Sequence, residues 1–240
     1  MKIYIDAGHG GTDAGAVSNG VKESAVNVAV SNYLAKEFEQ QGIPFKCCRT
    51  NDATFKTLAE RVNEANNYGA DIYISLHCNA SEASAPIGTI TYIYKFGGEA
   101  EKIAKKIQAR LQPMNGVSKW ERVEDENFYV LRKTTMPAVL VELGFITNAT
   151  DRAALTNTDT QKQIAKDICK AICEYCGISY KGGDDMPTNK DNMPDNYAKE
   201  AVEWAVKEGI LKGNENGDYM LHSNVTRQDM LVFLHRALNK

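Results

Sequence analysis

A chain of 240 residues, 43% apolar and 25% charged, has the balance of one or two globular domains and not of a disordered or fibrous protein. Its net charge of −3 leaves no surplus of clustered Lys and Arg for neutralising phosphates, which argues against nucleic acid as a partner. No apolar run approaches the roughly 20 residues that span a bilayer, so no membrane insertion is expected.

Strand-like runs at 2–7, 43–49, 71–76, 88–95, 127–132 and 138–142 alternate with helical patterns at 23–41, 56–68, 99–111 and 159–176. Short apolar strands separated by amphipathic helices predict an α/β fold: a twisted, mostly parallel sheet with helices on both faces. The 23–41 helix carries Val26, Val30, Tyr33, Leu34 and Phe38 at helical spacing, with Gly42 as its C-terminal cap. The first strand begins at Lys2, directly after Met1, leaving no room for a basic segment, an apolar stretch and a cleavage site. Synthesis in the cytoplasm without a secretory signal is the resulting expectation, and six cysteines made there are expected to be thiols.

Two glycines, two prolines and polar residues between Lys181 and Met193 and just beyond mark 181–193 as a linker between a catalytic domain, 1–180, and a small, mainly α domain, 194–240. In the small domain Asp195 caps a helix ending at Gly209, with Ala198, Ala201, Val202, Ala205 and Val206 on its inner face; Trp204 is expected in the core, the alternative being an exposed ring that stacks on a sugar. Asn216-Gly217 marks a turn, and Thr226 with Asp229 opens a second helix through Met230, Phe233, Leu234 and Leu238.

Four residues carry the chemistry. His9, His77 and Glu142 each end or follow an apolar strand, where ligands gather in open α/β sheets, and Glu23 opens the helix that folds back to the same rim. Two imidazoles and one carboxylate fill three corners of a zinc tetrahedron and leave the fourth for water, while a second carboxylate stays free to move protons. That inventory is a hydrolase's. The loop Gly8-His9-Gly10-Gly11 is not a dinucleotide loop, because Asp13 stands where the third glycine belongs. A structural alternative for Glu142 is pairing with Arg49 or Arg132, since a buried carboxylate needs a partner. Cys169, Cys173 and Cys176, at i, i+4 and i+7, read as an apolar stripe shared with Ile164, Ile168 and Ile172, for want of a fourth metal ligand. His222 and His235 have no carboxylate or cysteine company and receive no role.

The words Asp6 to Gly11 with Asp13 and Gly15, Glu23 with Asn27, Arg49-Thr50-Asn51-Asp52, Leu58 with Arg61 and Ala65-Asn66, Ser75 to Asn79, Val130-Leu131-Arg132 and Val141 to Asn148 occur in one order. That order resembles the zinc-dependent N-acetylmuramoyl-L-alanine amidases of bacterial autolysins and phage endolysins over roughly three quarters of the chain. The resemblance implies Zn²⁺ held by His9, Glu23 and His77, Glu142 as the catalytic acid and base, and peptidoglycan as substrate, cut between N-acetylmuramic acid and L-alanine. Cys48 and Cys78 depart from the family's usual threonine and small residue, without touching an implied ligand. A zinc peptidase cutting the stem peptide would use the same inventory, and a non-catalytic wall-binding protein is the third reading. Lacking a signal, such an enzyme reaches the wall after release, as an endolysin or on lysis of a mother cell. Residues 201–205, 209–213 and 225–230 resemble one S-layer-homology motif, which implies binding to a secondary cell-wall polymer; because such motifs act in threes, a single copy is expected to self-associate or dock.

Overall fold

The computed structural model describes residues 1–81, 88–111, 122–181 and 199–212, together with Val232 and His235. The chain divides into two compact units, Met1–Lys181 and Gly182–Lys240. In chain order the first unit contains β1 (Ile3–Ala7), β2 (Val17–Ser18), β3 (Val21–Lys22), α1 (Glu23–Gln41), β4 (Phe45–Cys47), α2 (Leu58–Tyr68), β5 (Ile72–Asn79) and β6 (Ile90–Ile93). There follow α3 (Glu99–Arg110), β7 (Arg122–Asp125), α4 (Tyr129–Lys133), β8 (Ala138–Phe145), α5 (Ala149–Thr156) and α6 (Thr158–Tyr175). No described helix is long and apolar enough to cross a membrane.

Six strands form one sheet in the order β4-β1-β5-β8-β6-β7. The strands β4, β1, β5 and β8 run parallel; β6 is antiparallel to β8 and pairs in parallel with β7. Alternation along the central strands sends side chains to two cores. Ile3, Ile5, Ile74 and Val141 pack on one face with Leu34 and Phe38 of α1, Ile107 of α3 and Ile168 of α6. Tyr4, Tyr73 and Leu140 pack on the other with Val62 of α2 and Leu131 of α4. Helices therefore cover both faces, as the strand and helix periods predict. Gly42 closes α1 at φ 69°, its N–H reaching Glu39 O and Phe38 O, and Thr57 with Glu60 forms a capping box at the start of α2.

One predicted strand is corrected. Most of the run expected at 127–132 is helical, in α4 from Tyr129, because the sequential neighbours Val130 and Leu131 are both buried in one core, which a strand would send to opposite faces. The edge position belongs instead to β7, whose Arg-Val-Glu-Asp sequence has one apolar residue and no detectable strand pattern; charges of this kind protect an edge from further pairing.

In the second unit, α7 (Lys199–Lys207) ends at Gly209, φ 68°, whose N–H bonds Val206 O at 3.0 Å. Trp204 is not a core residue: it is 55% exposed. It lies two positions along from Val202 and one before Ala205, both half-buried, and so points off their side of the helix. Ala201, expected on the inner face, is also exposed. Asp195, Ala198, Asn216-Gly217, His222, the capping pair Thr226 and Asp229, the predicted second helix apart from isolated positions, and linker residues 182–193 lie outside the described residues. Lys181 belongs to the first unit, its N–H bonded to Gln41 Oε1 at 2.5 Å.

All six cysteines are free; Cys169 and Cys173 are buried in the α1–α3–α6 core, and Cys176 packs half-buried against it.

Beneath the sheet's carboxyl rim, Asp6 is buried with Arg61 Nη1 2.6 Å from Oδ1, while Tyr73 OH and Ser75 Oγ donate to Oδ2 at 2.6 and 2.8 Å. Burial alone would raise its pKa, but the Arg61 charge and the Tyr73 hydrogen bond outweigh it and hold the carboxyl below the ordinary range. Asp6→Asn, leaving Arg61 buried without its counter-charge, is expected to cost about 3–5 kcal/mol in urea unfolding at neutral pH. Because the folded pKa is depressed, the Asp6 contribution is present above the ordinary aspartate value of about 3.9 and is lost as pH falls through the folded value. The gap between wild type and variant should therefore narrow in acid; a constant gap would mean that the charge on Asp6 does not matter.

Candidate metal centre

Beyond β1 the chain enters the glycine loop with His9 in the left-handed region at φ 61°, a conformation uncommon for a side-chain-bearing residue. Two arginines hold it there. Arg49 donates to Ala7 O at 2.9 Å, Gly8 O at 2.7 Å and Ser24 O at 2.8 Å. Arg61 donates to Ala7 O at 2.7 Å and His9 O at 2.8 Å. Arg49 thus ties the segment before His9 to the first turn of α1, next to Glu23.

Glycines let the pieces approach. A Cβ on Gly8 would lie 2.3 Å from the His77 ring, and one on Gly15 would lie 2.6 Å from Glu23 Oε2 and 2.7 Å from the His9 ring. The imidazoles of His9 and His77 meet edge to face, centroids 4.9 Å apart. Glu23 Oε1 is 2.9 Å from His77 Nδ1 and 3.2 Å from His9 Nε2, and accepts from the Cys78 N–H at 3.0 Å; Oε2 accepts from the Ala16 N–H at 2.9 Å. One donor atom from each of His9, Glu23 and His77 lies within 4.8 Å of the others.

The electrostatics set this trio apart from Glu142. Burial works against ionisation of Glu23, yet hydrogen bonds to His77 and His9 outweigh it and keep the carboxyl well below the usual range. Burial likewise disfavours the charged form of His9, but Glu23 and Asp13 overcome it and raise the imidazole to about 9. Glu142 sits in the adjoining strand in register with His77. There burial pushes its carboxyl up to about 7, with His77 opposing and Glu23 adding. Its Oε2 is buried without a hydrogen-bond partner among the described residues. The structural alternative for Glu142 has no support, since Arg49 is engaged with the glycine loop and Arg132 Nη1 bonds Asn127 Oδ1 at 2.7 Å. His9, His77 and Glu142 line one cleft of about 260 Å³.

Asp13 joins the site without a role predicted from the sequence: its Oδ2 lies 2.8 Å from His9 Nδ1 while Oδ1 accepts from the Gly15 N–H at 3.0 Å. A carboxylate on the far nitrogen of a histidine fixes its tautomer and aims the other nitrogen. The i, i+4 spacing from a loop histidine is the sequence signal that would have found it.

The crowding at Gly15 is testable against Gly20, which has φ 78° but nothing within 4 Å of where a Cβ would stand. Gly20→Ala should cost only the left-handed strain, about 1–2 kcal/mol. Gly15→Ala should cost that and more, because Glu23 or His9 must shift. Equal losses in chemical denaturation would mean that the close approach is not real.

Residues 3–174 match the profile of a family described as N-acetylmuramoyl-L-alanine amidase, and residues 190–231 match an S-layer homology domain. Protein YqiI of Bacillus subtilis (strain 168), itself uncharacterised, is 40% identical over 176 residues, covering 72% of this chain and 84% of the relative. The N-acetylmuramoyl-L-alanine amidase LytC of the same organism is 36% identical over 72% of this chain, but that match spans only 35% of LytC. Among solved structures, the catalytic domain of the N-acetylmuramoyl-L-alanine amidase CwlV from Bacillus (Paenibacillus) polymyxa var. colistinus superposes with a TM-score of 0.69 at 34% identity, covering 74% of this chain and 99% of that one.

Proposed function

Since the chain belongs to the N-acetylmuramoyl-L-alanine amidase family, we propose that His9, Glu23 and His77 hold Zn²⁺ and that Glu142 moves the protons as the muramoyl–alanine amide of peptidoglycan is hydrolysed. The observation that carries this reading is the division of labour among four side chains. Three donor atoms converge within 4.8 Å, while the fourth residue keeps an unpartnered carboxyl oxygen in the same cleft. Two imidazoles and a carboxylate are a donor set that suits zinc and leaves a position open. When bound, the ion would polarise the scissile carbonyl and lower the pKa of a water.

The chain's own residues supply the rest. Asp13 accepts from His9 Nδ1–H, which leaves the Nε2 lone pair, on the side of Glu23, to bind the ion. Glu23, held ionised, contributes negative charge to the cation site. Glu142 has a pKa near neutrality, so both of its protonation states are accessible: it takes the proton of the attacking water and returns one to the departing amine of L-alanine. The products are a free lactyl carboxylate and a free amine.

Chelation should abolish hydrolysis of purified walls and zinc should restore it, while His77→Ala should lose both metal, read by elemental analysis, and activity. Full turnover by a metal-free preparation would overturn the assignment. Glu142→Gln should retain fold and zinc and lose about 10² to 10⁴ in turnover; stoichiometric loss of zinc from a folded variant would make Glu142 a ligand.

The S-layer homology match carries the second unit to a cell-wall polymer. Trp204 and Val232, 55% and 44% exposed, are apolar surface on a unit too small for a large core, which supports association between copies. Association would raise avidity for a repetitive polymer without new contacts. Removing residues 182–240 should leave hydrolysis of soluble muropeptides intact, weaken co-sedimentation with whole walls, and shift the protein towards monomer in ultracentrifugation. A full chain that is monomeric at high concentration, with a truncated form that binds walls equally well, would overturn both roles.

A further inference from the structure

One wall of the cleft is apolar and open to solvent. Phe55, Leu58 and Phe128 are 47%, 54% and 37% exposed, and they line the cleft that holds His9, His77 and Glu142. Their exposure does not come from slack chain. Phe55 rests on the backbone of the His9 loop, where a Cβ on Gly11 would lie 2.8 Å from its own Cβ, and the turn leading to it is fixed by Asn51 Oδ1 accepting from the Ala53 and Thr54 N–H groups at 3.0 and 3.1 Å. Leu58 is the first residue of α2, behind the Thr57 capping box. Phe128 precedes α4 and meets the Tyr92 ring edge-on, centroids 5.4 Å apart. Apolar side chains held rigidly in water beside a reaction centre are surface kept for a ligand.

Charge decides which part of the substrate fits. Lys56 is paired with Glu64, and Arg61 is spent on Asp6, Ala7 O, His9 O and Lys56 O. Among the described residues of the wall, neither Lys56 nor Arg61 is free to meet the carboxylates of a stem peptide. An N-acetylated amino sugar is uncharged at its ring, with an apolar C–H face for an aromatic ring and an acetyl methyl for an aliphatic side chain.

We propose that Phe55, Leu58 and Phe128 form a glycan-side subsite, taking the N-acetylated amino sugar adjoining the scissile amide and leaving the peptide to the other side of the cleft. The choice of occupant rests on the amidase reading. The wall sets the direction in which the substrate lies: sugar over Phe55 and Phe128, lactyl amide beside Glu142.

The test uses ligands that are not cut. Binding of the peptide-free GlcNAc–MurNAc disaccharide and of the peptide L-alanyl-γ-D-glutamyl-L-lysine to the full-length, zinc-loaded protein is measured by calorimetry and by NMR, for wild type, Phe55→Ala, Phe128→Ala and Phe55→Leu. Phe55→Leu keeps apolar volume and removes only the ring, so it guards against a variant that fails to fold. The expected result is disaccharide binding that perturbs the Phe55 and Phe128 resonances and weakens about tenfold or more in the alanine variants, less in Phe55→Leu, with peptide binding unchanged. Disaccharide affinity equal to wild type in every folded variant overturns the subsite, as does loss of peptide affinity instead. If the wild type takes up the disaccharide at Phe55 but cuts no muropeptide, the reaction assignment fails and the subsite stands.

Discussion

The arrangement depends on two buried guanidinium groups that gather the backbone carbonyls around His9. Arg49 and Arg61 share Ala7 O and divide Gly8 O and His9 O between them, with Asp6 neutralising Arg61 from below. A loop that carries its histidine at positive φ turns several carbonyls inward, and each would be expensive to bury unpaired. Arginine suits the task because its planar fork keeps its charge and offers five donors in fixed directions. Through Ser24 O the same clamp reaches the first turn of α1, so one side chain sets the spacing between two of the three proposed ligands.

From that frame the two glutamates diverge. Glu23 receives two backbone N–H groups and faces two imidazoles, which hold it ionised; Glu142 is half-buried, its Oε2 enclosed but without a donor among the described residues, and its proton is held to near neutrality. Similar side chains, one opening α1 and the other in β8, thus meet opposite surroundings, which fit the proposed tasks of holding a cation and moving a proton. The parallel register that sets His77 opposite Glu142 makes this contrast a product of the sheet itself.

Much of this is legible in the chain. The central strands are largely apolar runs, so their positions and the mostly parallel sheet follow from hydrophobic pattern; the candidate residues stand out as polar breaks, His9 just beyond β1 and His77 and Glu142 inside β5 and β8, which run on past the expected ends to Asn79 and Phe145. Misreadings fall where pattern is weak. The 127–132 run looks extended because its apolar residues are close together, yet it packs as a helical turn, while β7 hides behind its charges. Asp13 is within reach through its i, i+4 spacing from His9, but the arginines act through backbone, and spacing alone does not announce a hydrogen bond to a carbonyl more than 40 positions away. Hydrophobicity alone points Trp204 inward, but a short helix has one covered side and its neighbours occupy it.

X-ray absorption at the zinc edge, on the full-length protein and on Glu142→Gln, probes the central claim most directly. The account predicts one zinc per chain with two imidazole ligands and an oxygen shell, and an unchanged spectrum in Glu142→Gln. A spectrum with sulfur ligands, with a single imidazole, or with an oxygen lost on changing Glu142 would contradict it.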